Sequence, residues 1–213
     1  MTEPTPLTLY AGREYLLQVL PSAIESRDVA GILPTAWSQN DPQWRDSEYA
    51  PGYTFRAAGC LVCCVAMLAS VAYPSAPTPV EVAARLREVG CFAGGLLTYP
   101  SRIAAAYDRL TWGGYLHWRE VAARLDVLHE EIAQYGATII ELAWNPLGAP
   151  VPQQSNQHFA VATGVVSTVT PPDVRIIDPW DGQQKWVSQS PYAKPANWSA
   201  ARAIHGVRLL RIV

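Results

Sequence analysis

The strongest hydrophobic signal in the chain is the run from Cys60 to Ala72, Cys-Leu-Val-Cys-Cys-Val-Ala-Met-Leu-Ala-Ser-Val-Ala. It carries no charge and is apolar on nearly every side at a helical period, which predicts one helix buried on most of its faces. Pro74 and Pro77 end it. A second helix is marked by its start. Thr78-Pro79-Val80-Glu81 supplies a capping hydroxyl, a proline in the first turn and an acid three residues after the cap. Val82, Leu86 and Val89 follow at helical spacing, and Gly90 closes the element. Cys91–Pro100 is a Gly-rich loop, and Ser101–Leu110 predicts a short helix followed by Thr111-Trp112-Gly113-Gly114. Trp118–Tyr135 predicts an amphipathic helix striped by Val121, Leu125, Leu128 and Ile132, with Gly136 at its end.

From Ala137 the pattern changes. Ala137–Trp144 and Phe159–Val166 predict buried strands, separated by the Pro-containing loop Asn145–Asn156. A turn at Thr170–Asp173 leads to a third strand, Val174–Ile177, and Gln184–Val187 and Gly206–Ile212 predict two more. Helices first and strands second fit an α+β domain whose sheet is antiparallel. Upstream, Leu7–Ser22 holds short runs suited to a strand pair, Ile24–Leu33 is ambiguous, and Pro34 breaks it. Ala36–Phe55 is loop-like and aromatic, with a turn at Asn40-Asp41-Pro42. The expected organisation is an N-terminal extension over 1–35, with room for strands, and a single domain over 36–213.

Composition agrees with one packed domain. Of 213 residues, 49% are hydrophobic and 16% charged, enough apolar surface for a sizeable core. A net charge of -2 argues against nucleic acid as a partner, because phosphate binding wants a basic surface. No run of 18 apolar residues is present, so no membrane partner is expected. The first 20 residues lack a basic start followed by an apolar core, so cytoplasmic synthesis without a signal is expected, with release or association with a virion as alternatives.

Cys60, Cys63, Cys64 and Cys91 are the only cysteines. Three lie in one apolar helical stretch, which is a poor disulfide framework. Four thiolates could bind zinc, but the paired Cys-x-x-Cys of a zinc ribbon is missing and the surroundings are apolar. No metal or cofactor is therefore expected, and core packing is the reading for Cys63 and Cys64.

Cys60 is different. Gly59 lets the backbone approach closely before it. A sulfur at a helix N-terminus gains from the dipole, which favours the thiolate. A nucleophile there needs a base, an orienting group and an oxyanion donor. Among His117, His129, His158 and His205, only His158 opens a buried strand, His-Phe-Ala-Val-Ala-Thr-Gly. Asp178 ends the next strand in Arg-Ile-Ile-Asp-Pro. Symmetric pairing about the Pro171 turn sets Asp178 opposite Ala162, which shares a face with His158. Direct contact then needs a bulge or skewed loop, with Asp181 as the fallback partner. Gln39 could supply an amide N–H for a developing oxyanion.

The order Gln39-x-Asp41-x-x-Trp44, then Gly59-Cys60 opening a helix, then His158 with Thr163-Gly164, then Asp178-Pro179, resembles the bacteriocin-leader peptidase family. It is most similar to that family's soluble peptidase-like relatives in the papain clan. The match runs from about Trp37 to about Trp186. The resemblance implies a papain-like cysteine peptidase fold, with N-terminal helices packed on a C-terminal antiparallel sheet. It implies a Cys60 nucleophile, a His158 base, an Asp178 orienter and a Gln39 oxyanion donor. The expected activity is that of a thiol hydrolase cleaving a peptide or isopeptide bond in a peptide or protein substrate. Alternatives are a catalytically silent binding or structural module, for which eight Trp and ten Tyr would suit an interaction surface, a phage-type cell-wall peptide hydrolase, or a thiol acyltransferase.

Overall fold

The structure is a computed structural model that describes residues 7–8, 14–15, 29–94, 96–117, 124–143, 157–194 and 197–213. Two short strands near the start, β1 (Leu7–Thr8) and β2 (Glu14–Tyr15), pair antiparallel, and β3 (Val29–Ala30) follows. The aromatic stretch expected to be loop contains a small hairpin, β4 (Glu48–Ala50) and β5 (Tyr53–Thr54), leading into the single turn α1 (Phe55–Ala58). Thr54 caps α1 through its hydroxyl, which accepts from Ala57 N–H.

The central helix α2 (Cys60–Ala72) has the bounds its apolar run predicts, and Val62 through Ala69 are all buried. Next comes α3 (Pro79–Glu88), held by a complete capping box between Thr78 and Glu81. Within the predicted Gly-rich loop, β6 (Phe92–Ala93) and β7 (Leu96–Leu97) form a second hairpin. The predicted helix at 101–110 shrinks to α4 (Ile103–Ala106).

One element lies outside the sequence pattern. β8 (Leu110–His117) is a strand of eight residues through Gly113 and Gly114, so a strand of the main sheet precedes the amphipathic helix. The Arg211 guanidinium packs over Gly113, 2.9 Å from where a Cβ would stand. The amphipathic helix α5 (Leu125–Tyr135) ends at Gly136, while 118–123 of the predicted span lie outside the described residues. The expected loop at 145–156 also lies outside them.

The remaining strands are β9 (Thr138–Ala143), β10 (Gln157–Val166), β11 (Asp173–Asp178) and β12 (Gln183–Trp186), then the turn α6 (Ala200–Ala203) and β13 (Ile204–Ile212). Among the described residues they form an antiparallel sheet in the order β12-β11-β10-β9-β13-β8, with β3 added beside β10. The class is therefore α+β. Residues 29–35 are tied to this sheet and helix: Ala30 pairs with Gly164, Gly31 N–H donates to Thr163 O, and Thr35 N–H donates to the Ser70 hydroxyl.

Side chains alternate across the sheet. Ile139, Phe159, Val161 and Ile177 join the apolar cluster built on α2 and α3. Ile140, Leu142, Ala160, Ala162 and Ile176 join a second cluster with α5 and with Val187, Tyr192 and Ala193. The sheet is thus covered on both faces, and α2 packs against β10.

Candidate active site

Cys60 is the first residue of α2, half-buried, directly after the Gly59 that ends α1. Gly59 has an ordinary φ of -76°, so its role is close approach and not an unusual backbone. A Cβ there would stand 2.6 Å from Phe55 O and 2.7 Å from Phe55 Cα. Only glycine lets α1 turn so abruptly into α2.

His158, 2% exposed, lies near the start of β10. Its Nε2 is 2.8 Å from Asp178 Oδ1. Its imidazole also hydrogen-bonds the Cys60 thiol, which makes Nδ1 the nitrogen that faces the sulfur. Asp178 is fully buried and all of its acceptor directions are used. Oδ1 also accepts from Trp180 N–H at 2.9 Å, while Oδ2 accepts from Lys185 Nζ and Tyr192 Oη, each at 2.7 Å. Asp181 is not the histidine's partner; its carboxylate meets Lys185 Nζ at 2.8 Å.

The contact between His158 and Asp178 depends on a bulge. β10 pairs Val165 with Val174 and Gly164 with Arg175, then Ala162 with Ile176 and Val161 with Ile177, so Thr163 is an extra residue. Extending the register of the far end would put Asp178 against Val161, out of phase with His158. After the bulge Asp178 falls opposite Ala160, in phase and two residues from the histidine.

The charges follow from these contacts. Burial pushes the Cys60 thiol up, but the hydrogen bond and charge of His158, with the Phe159 and Leu61 N–H groups, outweigh it and lower the pKa. Burial opposes an imidazolium at His158, yet the bonds to Asp178 and Cys60 raise it to about 9. Asp178 is held well below the usual carboxylate range: burial acts upward and is outweighed by His158, Lys185 and the Trp180 N–H. Burial, followed by the Cys60 charge, pushes Cys63 and Cys64 well above the ordinary thiol, and burial raises Cys91 to about 11. Of the four cysteines, Cys60 alone has its pKa lowered, and the other three have theirs raised.

Gln39 is 3% exposed and spans the two halves of the site. Its N–H donates to Pro179 O at 2.6 Å, beside Asp178, and its Nε2 donates to Arg56 O at 2.9 Å, on α1 before Cys60. The amide therefore commits one of its two Nε2 hydrogens to Arg56 O. Its Oε1 has no hydrogen-bond partner among the described residues. The surrounding motif holds it in place. Asp41 closes a turn onto Gln43 N–H at 2.9 Å, and the Trp44 indole donates to Ser38 O at 2.8 Å. Ser38 Oγ and Asn40 Nδ2 both donate to Trp180 O.

All four residues singled out in the sequence therefore belong to one connected set. The sequence reading missed Tyr192 and Lys185. Tyr192 stacks on His158 and bonds Asp178, and Lys185 pairs with Asp178. Parity along β12 could have flagged Lys185, since the pairing sets Gln183 against Asp178 and Lys185 is two residues on. Among the described residues, His158 is the histidine that faces Cys60.

A separate cleft of about 1130 Å³, lined in part by Trp186, Trp198, Asp173 and Arg202, opens at the other end of β11. Among the described residues no group of three or more His, Cys, Asp or Glu gathers as a metal site, and no helix is long and apolar enough to cross a membrane. Comparison with protein-family models, curated proteins and solved structures finds no match to this chain.

Proposed function

We propose that the chain is a cysteine peptidase of papain-like architecture that cleaves a peptide or isopeptide bond. One observation carries this reading: His158 bonds Asp178 through one ring nitrogen and faces Cys60 with the other, and Cys60 opens a buried helix. A thiolate, a fixed acid–base and a buried orienter are the parts that acyl transfer needs. An apolar helix carrying the cysteine, packed on an antiparallel sheet carrying the histidine and aspartate, supports the papain-like assignment. The order of motifs shared with the soluble relatives of bacteriocin-leader peptidases points the same way.

The Cys60 thiolate attacks the scissile carbonyl carbon and forms the C–S bond while the carbonyl electrons move to oxygen. The oxyanion is met by the second Nε2–H of Gln39 and by a backbone N–H at the start of α2. The C–N bond breaks as the His158 imidazolium gives its Nδ1 proton to the leaving nitrogen. Water then attacks the thioester. His158 takes its proton, and the C–S bond breaks to release the acid and restore the thiolate–imidazolium pair. Asp178 holds the ring orientation and stabilises its charged form throughout.

The test is trapping. A panel of peptide and muropeptide esters is mixed with the protein and quenched in acid, and the acyl group is located by mass spectrometry. An acyl adduct on Cys60, absent in Cys60→Ala and slow to form in His158→Ala, supports the reading. No adduct on Cys60 from any ester, with a folded protein, contradicts it.

A further inference from the structure

Asp178 has more partners than an orienting carboxylate requires. Hydrogen bonds from His158 and the Trp180 N–H meet one oxygen, and Lys185 and Tyr192 meet the other. Three of these donors are explained by holding the ring and the carboxylate in place. The fourth, Lys185, is a full positive charge that the acyl-transfer steps do not use. It is one of two lysines in a chain whose Lys and Arg together number 16, so an ammonium here is not the default cation of this sequence. Its side chain is 22% exposed, which leaves it partly screened and partly felt by the buried carboxylate.

We propose that Lys185 is a positioning residue that balances the charge of Asp178, and so limits how tightly the imidazole of His158 keeps its proton. The proposal rests on the reading of Cys60 and His158 as nucleophile and acid. A bare carboxylate buried at 2.8 Å from an imidazolium would hold that proton strongly. An acid too weak at working pH is slow to protonate a leaving amine. With Lys185 Nζ at 2.7 Å from its second oxygen, the carboxylate presents to His158 the far end of an ion pair and not a free anion. Asp181, at 2.8 Å from the same ammonium and more exposed, draws off part of that charge. The other groups on this site are Cys60 and Cys64 from α2, the Trp180 N–H from the turn, and the neutral hydroxyl of Tyr192. Lys185 is the only cation among these partners of Asp178 besides His158 itself.

The experiment is a ring-labelled NMR titration of His158 in the full chain. It compares wild type with Lys185→Met, Lys185→Arg and Asp181→Asn. Lys185→Met is expected to raise the His158 midpoint by about one unit, the size of a nearby unit charge in a partly screened site. Lys185→Arg keeps the charge and stays with wild type. Asp181→Asn leaves the pair intact, removes a negative charge, and lowers the midpoint. A midpoint unmoved or lowered in Lys185→Met overturns the proposal. So does an equal shift in Lys185→Arg, which would mark a packing role. If Lys185→Met does not fold, Asp181→Asn decides: a lowered midpoint supports the proposal and an unchanged one overturns it. Cys60 alkylation is measured in parallel. An inert Cys60 removes the peptidase reading and this proposal with it, whereas a reactive Cys60 with unmoved midpoints removes only the role of Lys185.

Discussion

The ring of Tyr192 lies against the imidazole of His158, with centroids 4.9 Å apart and planes inclined by 22°, while its hydroxyl bonds Asp178 Oδ2 at 2.7 Å. One side chain thus contacts both the imidazole of His158 and the carboxylate of Asp178. Its own hydroxyl stays protonated, because burial and then the Asp178 charge push its pKa far up. Tyr192→Phe keeps the stack and loses the bond to a charged group. The expected cost is about 1.5 kcal/mol of stability. Tyr192→Ala loses both and is expected to cost about 4 kcal/mol. Urea unfolding of the two variants separates these contributions. Under the proposed peptidase reading, turnover should fall modestly in Phe and steeply in Ala.

Asp178 links the site to stability. Its folded pKa is lowered, so its contribution is present above the unfolded value of about 4 and is lost as pH falls toward the folded one. Asp178→Ala removes the acceptor shared by His158, Lys185 and Tyr192 and is expected to cost about 3 kcal/mol at pH 7. The gap between wild type and variant should narrow as pH is taken below about 4. Urea midpoints at pH 7 and pH 3 measure both quantities. A gap that widens in acid would mean the carboxylate is not ionised in the folded protein.

In the proposed mechanism, substitution of Gln39 separates nucleophile formation from acyl transfer. Alkylation of a thiolate by iodoacetamide forms no oxyanion, whereas attack on a carbonyl does. Gln39→Ala is expected to lower kcat about 100-fold while the alkylation rate of Cys60 changes about twofold at most. Equal losses in both would assign Gln39 to holding the Asn40–Trp180 turn and not to the oxyanion.

Much of this arrangement was legible in the chain. Val62 through Ala69 are buried on every side, so the apolar run located α2 to the residue. Thr78 and Glu81 defined the start of α3 because a capping box is a local interaction. Parity placed His158 and Asp178 on one face, since a strand repeats every two residues. What closed the distance was Thr163, a bulge residue that an apolar pattern does not mark. β8 was hidden for a similar reason. Gly113-Gly114 suggests a turn until β13 brings Arg211 over Gly113, and that pairing spans about a hundred residues. Tyr192 lies in a turn after β12, where no periodicity points to a partner.

Substitution of Gly59 tests the local geometry that presents Cys60. A Cβ at this position meets Phe55 backbone atoms at 2.6 and 2.7 Å, and backbone cannot move aside as a flexible side chain does. Gly59→Ala is expected to cost about 3 kcal/mol and to slow Cys60 alkylation, because α1 and α2 must separate to admit the methyl group. Thermal unfolding with mass-mapped alkylation checks both effects on one sample.

The proposed chemistry depends on Cys60 being a thiolate held by His158. The most direct measurement is the iodoacetamide alkylation rate of the folded protein across pH, with each modified cysteine mapped by mass spectrometry. Cys60 is expected to react first, with a rate midpoint well below the free thiol's value of about 8.5, and His158→Ala is expected to move that midpoint upward. Cys63, Cys64 and Cys91 should stay unmodified until the protein unfolds. A Cys60 that is inert, or that reacts no faster than the other three, would contradict the account.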